Sequence, residues 1–154
     1  MQASALGHFM RESGPWTYAI VNLAHVLGIS TLFGSILVLD LRLVGFGRRA
    51  PLGAVSSSVV PIAAAGFAIA GATGVGLLAT KATEYVGNPF LLIKFPAIAL
   101  ALLNVGILSR TAAWRAHRVR ALTAAEERQL AVLGGLSLLC WLTAITAGRM
   151  IAYW

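Results

Sequence analysis

Charged residues and cysteine are both scarce in this sequence. Of the 154 residues only 11% are charged and 58% are hydrophobic, a balance outside that of ordinary soluble domains. The single cysteine, Cys140, excludes an intramolecular disulfide and a thiolate metal cluster within one chain. Because Cys140 lies in an apolar run, we expect it to be a small buried residue, with Trp141 beside it in the core.

Acidic residues are rarer than basic ones. Asp and Glu together number 5 against 12 Lys and Arg, so the formal net charge is +7. Such a charge can indicate nucleic-acid binding, but the basic residues fall mainly in two short segments between apolar runs rather than on one folded face. We therefore expect no nucleic-acid partner and interpret the charge as a signal of membrane topology.

Long apolar runs fill the sequence and leave no room for a separate soluble domain. A helix needs about 20 apolar residues to cross the hydrocarbon core of a bilayer. The runs predict an all-α fold, an integral membrane bundle of four transmembrane helices that forms a single domain over residues 1–154. The approximate helix bounds are 16–40, 58–80, 89–110 and 126–150.

Small residues and prolines predict local features of these helices. Gly66, Ala70 and Gly74 recur at four-residue intervals, which favours close approach of another helix. Pro96 lacks a backbone N–H, so it predicts a kink in the third helix. The predicted start signals are the serines at 56–58 with Pro61 for the second helix, Asn88 with Pro89 for the third, and Thr123 with Glu126 as a capping box for the fourth.

The distribution of basic residues predicts orientation. Eight of the 12 Lys and Arg residues lie in the first and third connections, which the positive-inside rule places in the cytoplasm. Both termini are then periplasmic or extracellular, on the outer side of a bacterial inner membrane, where aromatic residues collect at the interface. The basic residues are Arg42, Arg48, Arg49, Arg110, Arg115, Arg118, Arg120 and Arg128, and the aromatic residues are Trp16, Tyr18, Tyr85, Tyr153 and Trp154.

His25 is a polar residue deep within the first apolar run. It lies roughly 13 Å along the helix from Trp16, too deep to reach the interface. Asn22 and Gly28 share its helix face, and Gly28 leaves room beside it for a flat ligand. A neutral imidazole hydrogen-bonded to another helix, a ligand role and a proton-transfer role all suit this position.

Lys94 and Arg149 fall in the same predicted outer half as His25. Lys94 suits either an ammonium that reaches the headgroups or a buried amine that ligates a metal or moves a proton. Arg149 suits an anchor at the helix end or a clamp for the carboxylate of a ligand or of Glu84. Because all three fall in the outer half on three different helices, their depth allows one shared site there.

Asn104 and Asp40 are the polar residues of the predicted inner half. A hydrogen bond to a neighbouring helix accounts for Asn104. An ion pair with Arg42 accounts for Asp40. Neither residue is expected to form a site.

Two segments resemble small bacterial four-helix membrane families. The first helix reads HVLGISTLFGSILVLDLRLVG at 25–45 and the third reads NPFLLIKFPAIALALLN at 88–104. With a histidine before a stripe of small residues and a basic helix end, the first resembles CopD-like and HemJ-like proteins, and the third adds the lysine of HemJ-like proteins. The chain is also similar to an uncharacterised bacterial family of this size, which has the same Asp-Leu-Arg-Leu and Ala-Gly-Arg elements.

The HemJ-like resemblance implies haem b. Proteins of that family bind it through a first-helix histidine and a third-helix lysine and take part in protoporphyrinogen oxidation. His25 and Lys94 would then be the axial ligands of the metal, and Arg149 would suit a propionate. The sequence lacks the family's tryptophan-rich segment and its other histidines, so the resemblance implies haem binding rather than the enzymatic activity, and catalytic residues stay unknown.

The sequence therefore predicts a haem b-binding, redox-associated inner-membrane protein. One alternative is an accessory subunit of a larger membrane complex, with His25, Lys94 and Arg149 bonded to partner helices or lipid. Another is a copper or small-solute transporter, although soft copper ligands are scarce. The predicted partners are the lipid bilayer, other membrane subunits and a second copy of the chain.

Overall fold

The computed structural model describes residues 14–80 and 87–153. Over those two ranges the chain forms helices and no strand, so the predicted all-α class is confirmed. The four long helices are α1 (Gly14–Val44), α2 (Leu52–Thr80), α3 (Pro89–Arg110) and α5 (Ala124–Met150); α4 (Ala112–Ala116) is a single short turn, and a 3-10 turn, Ile151–Tyr153, follows α5.

The four long helices are long and apolar enough to cross a membrane, as predicted. Even α3, the shortest at 22 residues, spans about 33 Å at 1.5 Å per residue, more than the hydrocarbon core. Large apolar side chains point outward, with Leu92 76% and Leu139 64% exposed. These features are compatible with a multi-pass membrane protein, whereas the choice of membrane and the outer position of both termini stay predictions.

Two predicted helix starts are confirmed. Asn88 is the N-cap of α3 and accepts a hydrogen bond from the Phe90 backbone N–H at 2.9 Å, with Pro89 at the first helical position. Thr123 and Glu126 form a complete capping box at the start of α5. Capping satisfies backbone N–H groups that a helix cannot satisfy itself.

The predicted start of α2 is wrong. The helix begins at Leu52, because the Pro51 carbonyl already accepts the backbone N–H groups of Ala54 and Val55 at 3.1 and 3.2 Å. The serine hydroxyls bond back to carbonyls of this first turn, as Ser57 does to Ala54, so they do not serve as caps. Pro61 therefore lies inside the helix.

Other boundaries differ less. Helix α1 continues to Val44, beyond the predicted end at 40, and stops where Gly45 takes a φ of +116°. The short helix α4 was not predicted, and its N-cap Thr111 accepts the Trp114 N–H at 3.0 Å. Helix α3 continues through Pro96, and the kink stays a prediction.

Contacts divide the chain into two compact units, of which the first is Met1–Gly34 with Pro61–Gly87. Within it α1 and α2 approach closely. A Cβ added to Gly66 would lie 2.6 Å from the Leu32 backbone nitrogen, and one added to Gly28 would lie 2.7 Å from that of Ala70. The predicted packing role of the small-residue stripe is confirmed.

The second unit is Ser35–Val60 with Asn88–Trp154. Its apolar core includes Leu43, Leu108 and Leu130, and Leu130 is 1% exposed. Cys140 and Trp141 are buried in α5, as predicted. The single domain predicted over residues 1–154 stays a prediction.

Candidate functional site

The His25 imidazole is fixed from one side by α2. Its Nδ1 lies 2.9 Å from the Ala70 carbonyl oxygen and 3.1 Å from the Thr73 hydroxyl, which itself donates to the Ile69 carbonyl at 2.6 Å. Because a carbonyl can only accept, this contact assigns the proton to Nδ1. In the neutral tautomer Nε2 then carries no hydrogen.

Small residues of α2 make room for this ring. A Cβ added to Gly74 would lie 3.0 Å from Cε1 of His25, so the glycine lets the imidazole lie against the α2 backbone. The prediction that Gly28 leaves room for a flat ligand is wrong, because the α2 backbone at Gly66 and Ala70 fills that space. Asn22, one turn before His25, is exposed.

Lys94 is half-buried in the second unit and lies against α5. A Cβ added to Gly148 would be 3.3 Å from its Nζ and 3.4 Å from its Cε, so the end of the side chain packs on the α5 backbone. The absence of a side chain at Gly148 therefore leaves room for the end of the Lys94 side chain. Whether Lys94 ligates a metal stays a prediction.

Arg149 is exposed and engages its own helix end. Its Nη2 donates to the Tyr153 hydroxyl at 2.7 Å, and the guanidinium lies 4.9 Å from the centroid of that ring. This contact supports the predicted anchoring role. Glu84, the alternative partner, lies outside the described residues.

The predicted site residues belong to two units. His25, Asn22 and Gly28 lie in the first, and Lys94 and Arg149 lie in the second, where Arg149 directly follows the glycine that Lys94 contacts. A single site that joins His25 to Lys94 and Arg149 therefore stays a prediction.

Of the two predictions made for Asn104 and Asp40, the first is confirmed and the second is wrong. The Asn104 amide donates to the Leu133 carbonyl on α5 at 3.0 Å, so the predicted inter-helix hydrogen bond is confirmed. The predicted Asp40–Arg42 ion pair is wrong: Arg42 directs Nε to the Ala50 carbonyl at 2.7 Å, and the Asp40 carboxyl lies near the Ser137 hydroxyl on α5. Residues two apart on a helix point to nearly opposite sides.

Sequence reasoning missed a cationic cavity of about 230 Å³ in the second unit. His117 lines it, and its Nε2 lies 2.8 Å from the Ser56 hydroxyl while Nδ1 contacts the Trp114 carbonyl. Burial, opposed in part by the Trp114 bond, lowers the pKa of His117. Glu126 and Glu127 already pair with Arg120 and Arg48, so Arg42 carries the remaining positive charge among the described residues that line the cavity. The other polar lining groups are Arg42, Arg48, Arg120 and Glu127.

Comparisons with known proteins give no family for this chain. No protein-family model, no curated protein and no solved structure matches it. The likeness to HemJ-like and CopD-like families stays a prediction from the sequence.

Proposed function

We propose that the protein binds haem b in the membrane through Nε2 of His25. The observation that carries this proposal is the hydrogen bond from Nδ1 to the Ala70 carbonyl at 2.9 Å. Histidines that ligate metals usually donate their other ring N–H to a carbonyl or carboxylate, which fixes the tautomer and raises the basicity of the ligating nitrogen. His25 has this arrangement.

The remaining residues limit the kind of metal centre. Within the described part of the chain, no group of three or more His, Cys, Asp or Glu side chains is placed to hold a metal ion. A porphyrin supplies four nitrogen ligands itself and needs only one or two from the protein. Haem would therefore need only one or two ligands from this chain, and His25 is the described histidine that lies within a long apolar helix.

Lys94 and Arg149 complete the proposal. Lys94 would be a second protein ligand, and Arg149 would pair with a haem propionate. Bound haem would supply one-electron chemistry, which would make the protein redox-associated. The α2 carbonyl would hold the His25 ring in one orientation.

Visible spectra of the protein purified from haem-replete cells test this proposal. We expect a haem spectrum in the wild type, its loss in His25→Ala and its retention in His117→Ala, a matched removal of the other described histidine. Lys94→Met should keep the haem and shift its spectrum. A colourless wild type contradicts the proposal, and subunits that co-purify with it would then favour the accessory-subunit alternative.

We propose, in addition, that the arginine-rich connections face the bacterial cytoplasm and both termini the outside. The excess of basic residues in these connections supports this orientation. Reporter fusions at the C-terminus test it: a reporter active only outside the cytoplasm should be active, and a cytoplasmic reporter should not. The reverse pattern would invert the topology without affecting the assignment of His25.

A further inference from the structure

Three buried polar side chains of the second unit lie along one turn of α5. The Asn104 amide of α3 donates to the Leu133 carbonyl at 3.0 Å, and a Cβ on the next residue, Gly134, would lie 3.2 Å from the Asp40 backbone carbonyl of α1. The Ser137 hydroxyl, one turn along α5, lies near the Asp40 carboxyl. The exposed fractions are 3% for Asp40, 2% for Asn104 and 4% for Ser137. A polar cluster this deep in apolar helices needs a partner for every polar atom.

Two oxygen atoms in this cluster have none. Asp40 Oδ2 and Asn104 Oδ1 are buried without a hydrogen-bond partner among the described residues. An ionised carboxylate and an amide oxygen both only accept hydrogen bonds, so neither can satisfy the other. A proton on the carboxylate would supply the missing donor.

Among the described residues, no cation pairs with Asp40. Within the described residues it forms no ion pair, and Arg42, two positions along α1, is turned to the Ala50 carbonyl. Helix α5 presents Gly134 and Ser137 to this part of α1, and α3 brings Asn104 to the same turn of α5, none of which titrates. A lone ionised carboxylate in such surroundings is strongly disfavoured.

We propose that Asp40 is a proton-binding site, neutral in the folded protein, whose O–H donates to Asn104 while Ser137 donates to its other oxygen. One proton removes the buried charge and changes an unmatched acceptor into the missing donor. The chemistry is reversible protonation, a carboxylate plus H⁺ giving a carboxylic acid, with no other reactant. The assignment does not depend on haem binding, because it uses different residues.

The composition of the chain makes this site easy to observe. Asp40 is the only aspartate among the 154 residues, so ¹³C placed on the aspartate carboxyl carbon during cell-free synthesis reports on this group alone. The wild-type protein, in lipid nanodiscs, is followed by ¹³C NMR and by the infrared carbonyl band in H₂O and D₂O. Asp40→Asn is the blank for both spectra.

We expect the signal of a neutral carboxylic acid at neutral pH, with a carbonyl band that shifts in D₂O and that the blank lacks. A carboxylate signal at neutral pH would overturn the proposal and indicate a bridging water that donates to both oxygens. The wild-type measurement decides the matter even if a variant fails to fold.

Discussion

The surroundings of His25 and of Asp40 show two ways of keeping an ionisable side chain within apolar helices. His25 is half-buried, and its one N–H is satisfied by a backbone carbonyl of α2. Asp40 is 3% exposed and keeps an oxygen without a partner. A hydrogen-bonded imidazole can stay neutral, whereas a buried oxygen without a donor favours the protonated form of its carboxyl.

The largest expected effect concerns the helix contact that positions His25. Gly66→Ala places a Cβ 2.6 Å from the Leu32 backbone, which cannot move aside as a side chain can. We expect a loss of about 3 kcal/mol in the free energy of unfolding. Gly71→Ala on the same helix, where a Cβ meets nothing within 4 Å, is the control. Chemical denaturation in detergent measures both, and equal stabilities would refute the close packing.

The corresponding contact beside Asp40 should tolerate change better. A Cβ on Gly134 would lie 2.8 Å from the Leu43 side chain and 3.2 Å from the Asp40 carbonyl. Because a side chain can adjust, we expect Gly134→Ala to lower the free energy of unfolding by about 1–2 kcal/mol. Its neighbour Gly135 faces open space, so Gly135→Ala should be neutral or stabilising. A larger loss for Gly135→Ala than for Gly134→Ala would contradict the described rotation of α5 about its axis.

A smaller effect separates helix capping from both sites. Thr123→Ala removes the hydroxyl that accepts the Glu126 N–H at the start of α5. We expect a loss of about 1 kcal/mol, with the spectrum at His25 and the carboxyl signal of Asp40 unchanged. Thr123→Ser keeps the acceptor and should restore most of the stability. A change at either site would show that the end of α5 is coupled to it.

The smallest effect is a pH dependence that belongs to His117 rather than to either membrane site. Its folded-state pKa lies below the ordinary value of about 6.5, so above that pH both states are neutral and stability is complete. As the pH falls below it, the unfolded chain binds the proton first and stability declines. Thermal unfolding against pH should show this decline in the wild type and less of it in His117→Gln. An identical decline in the variant would show that groups other than His117 bind these protons.

The sequence was informative about helices and much less so about partners. Run length predicted the four spans, and the residue types at Asn88 and Thr123 predicted their caps. The start of α2 was predicted wrongly because the serines were taken as the helix-start signal. The first backbone hydrogen bonds of α2 are instead accepted by the Pro51 carbonyl. The residue types near a helix terminus therefore predict its position only where a single residue suits the capping position.

The sequence indicated which polar residues to consider but not which groups surround them in the fold. His25 was singled out correctly as a deep polar group, but its partner is a backbone carbonyl, which leaves no mark in the sequence. Asp40 was expected to pair with its neighbour Arg42, whereas in the structure it lies near Ser137, almost a hundred residues away along the chain. Which side chains meet across helices depends on helix rotation, and uniformly apolar helices carry little periodic signal to reveal it.

Chemical rescue tests the central claim, that His25 is an axial ligand of haem, most directly. The His25→Gly protein should be purified with and without free imidazole, and its visible spectrum compared with that of the wild type. We expect the haem spectrum to be lost in the variant and restored when imidazole takes the place of the missing side chain. A variant that keeps the wild-type spectrum without imidazole, or a wild type with no haem, contradicts the claim.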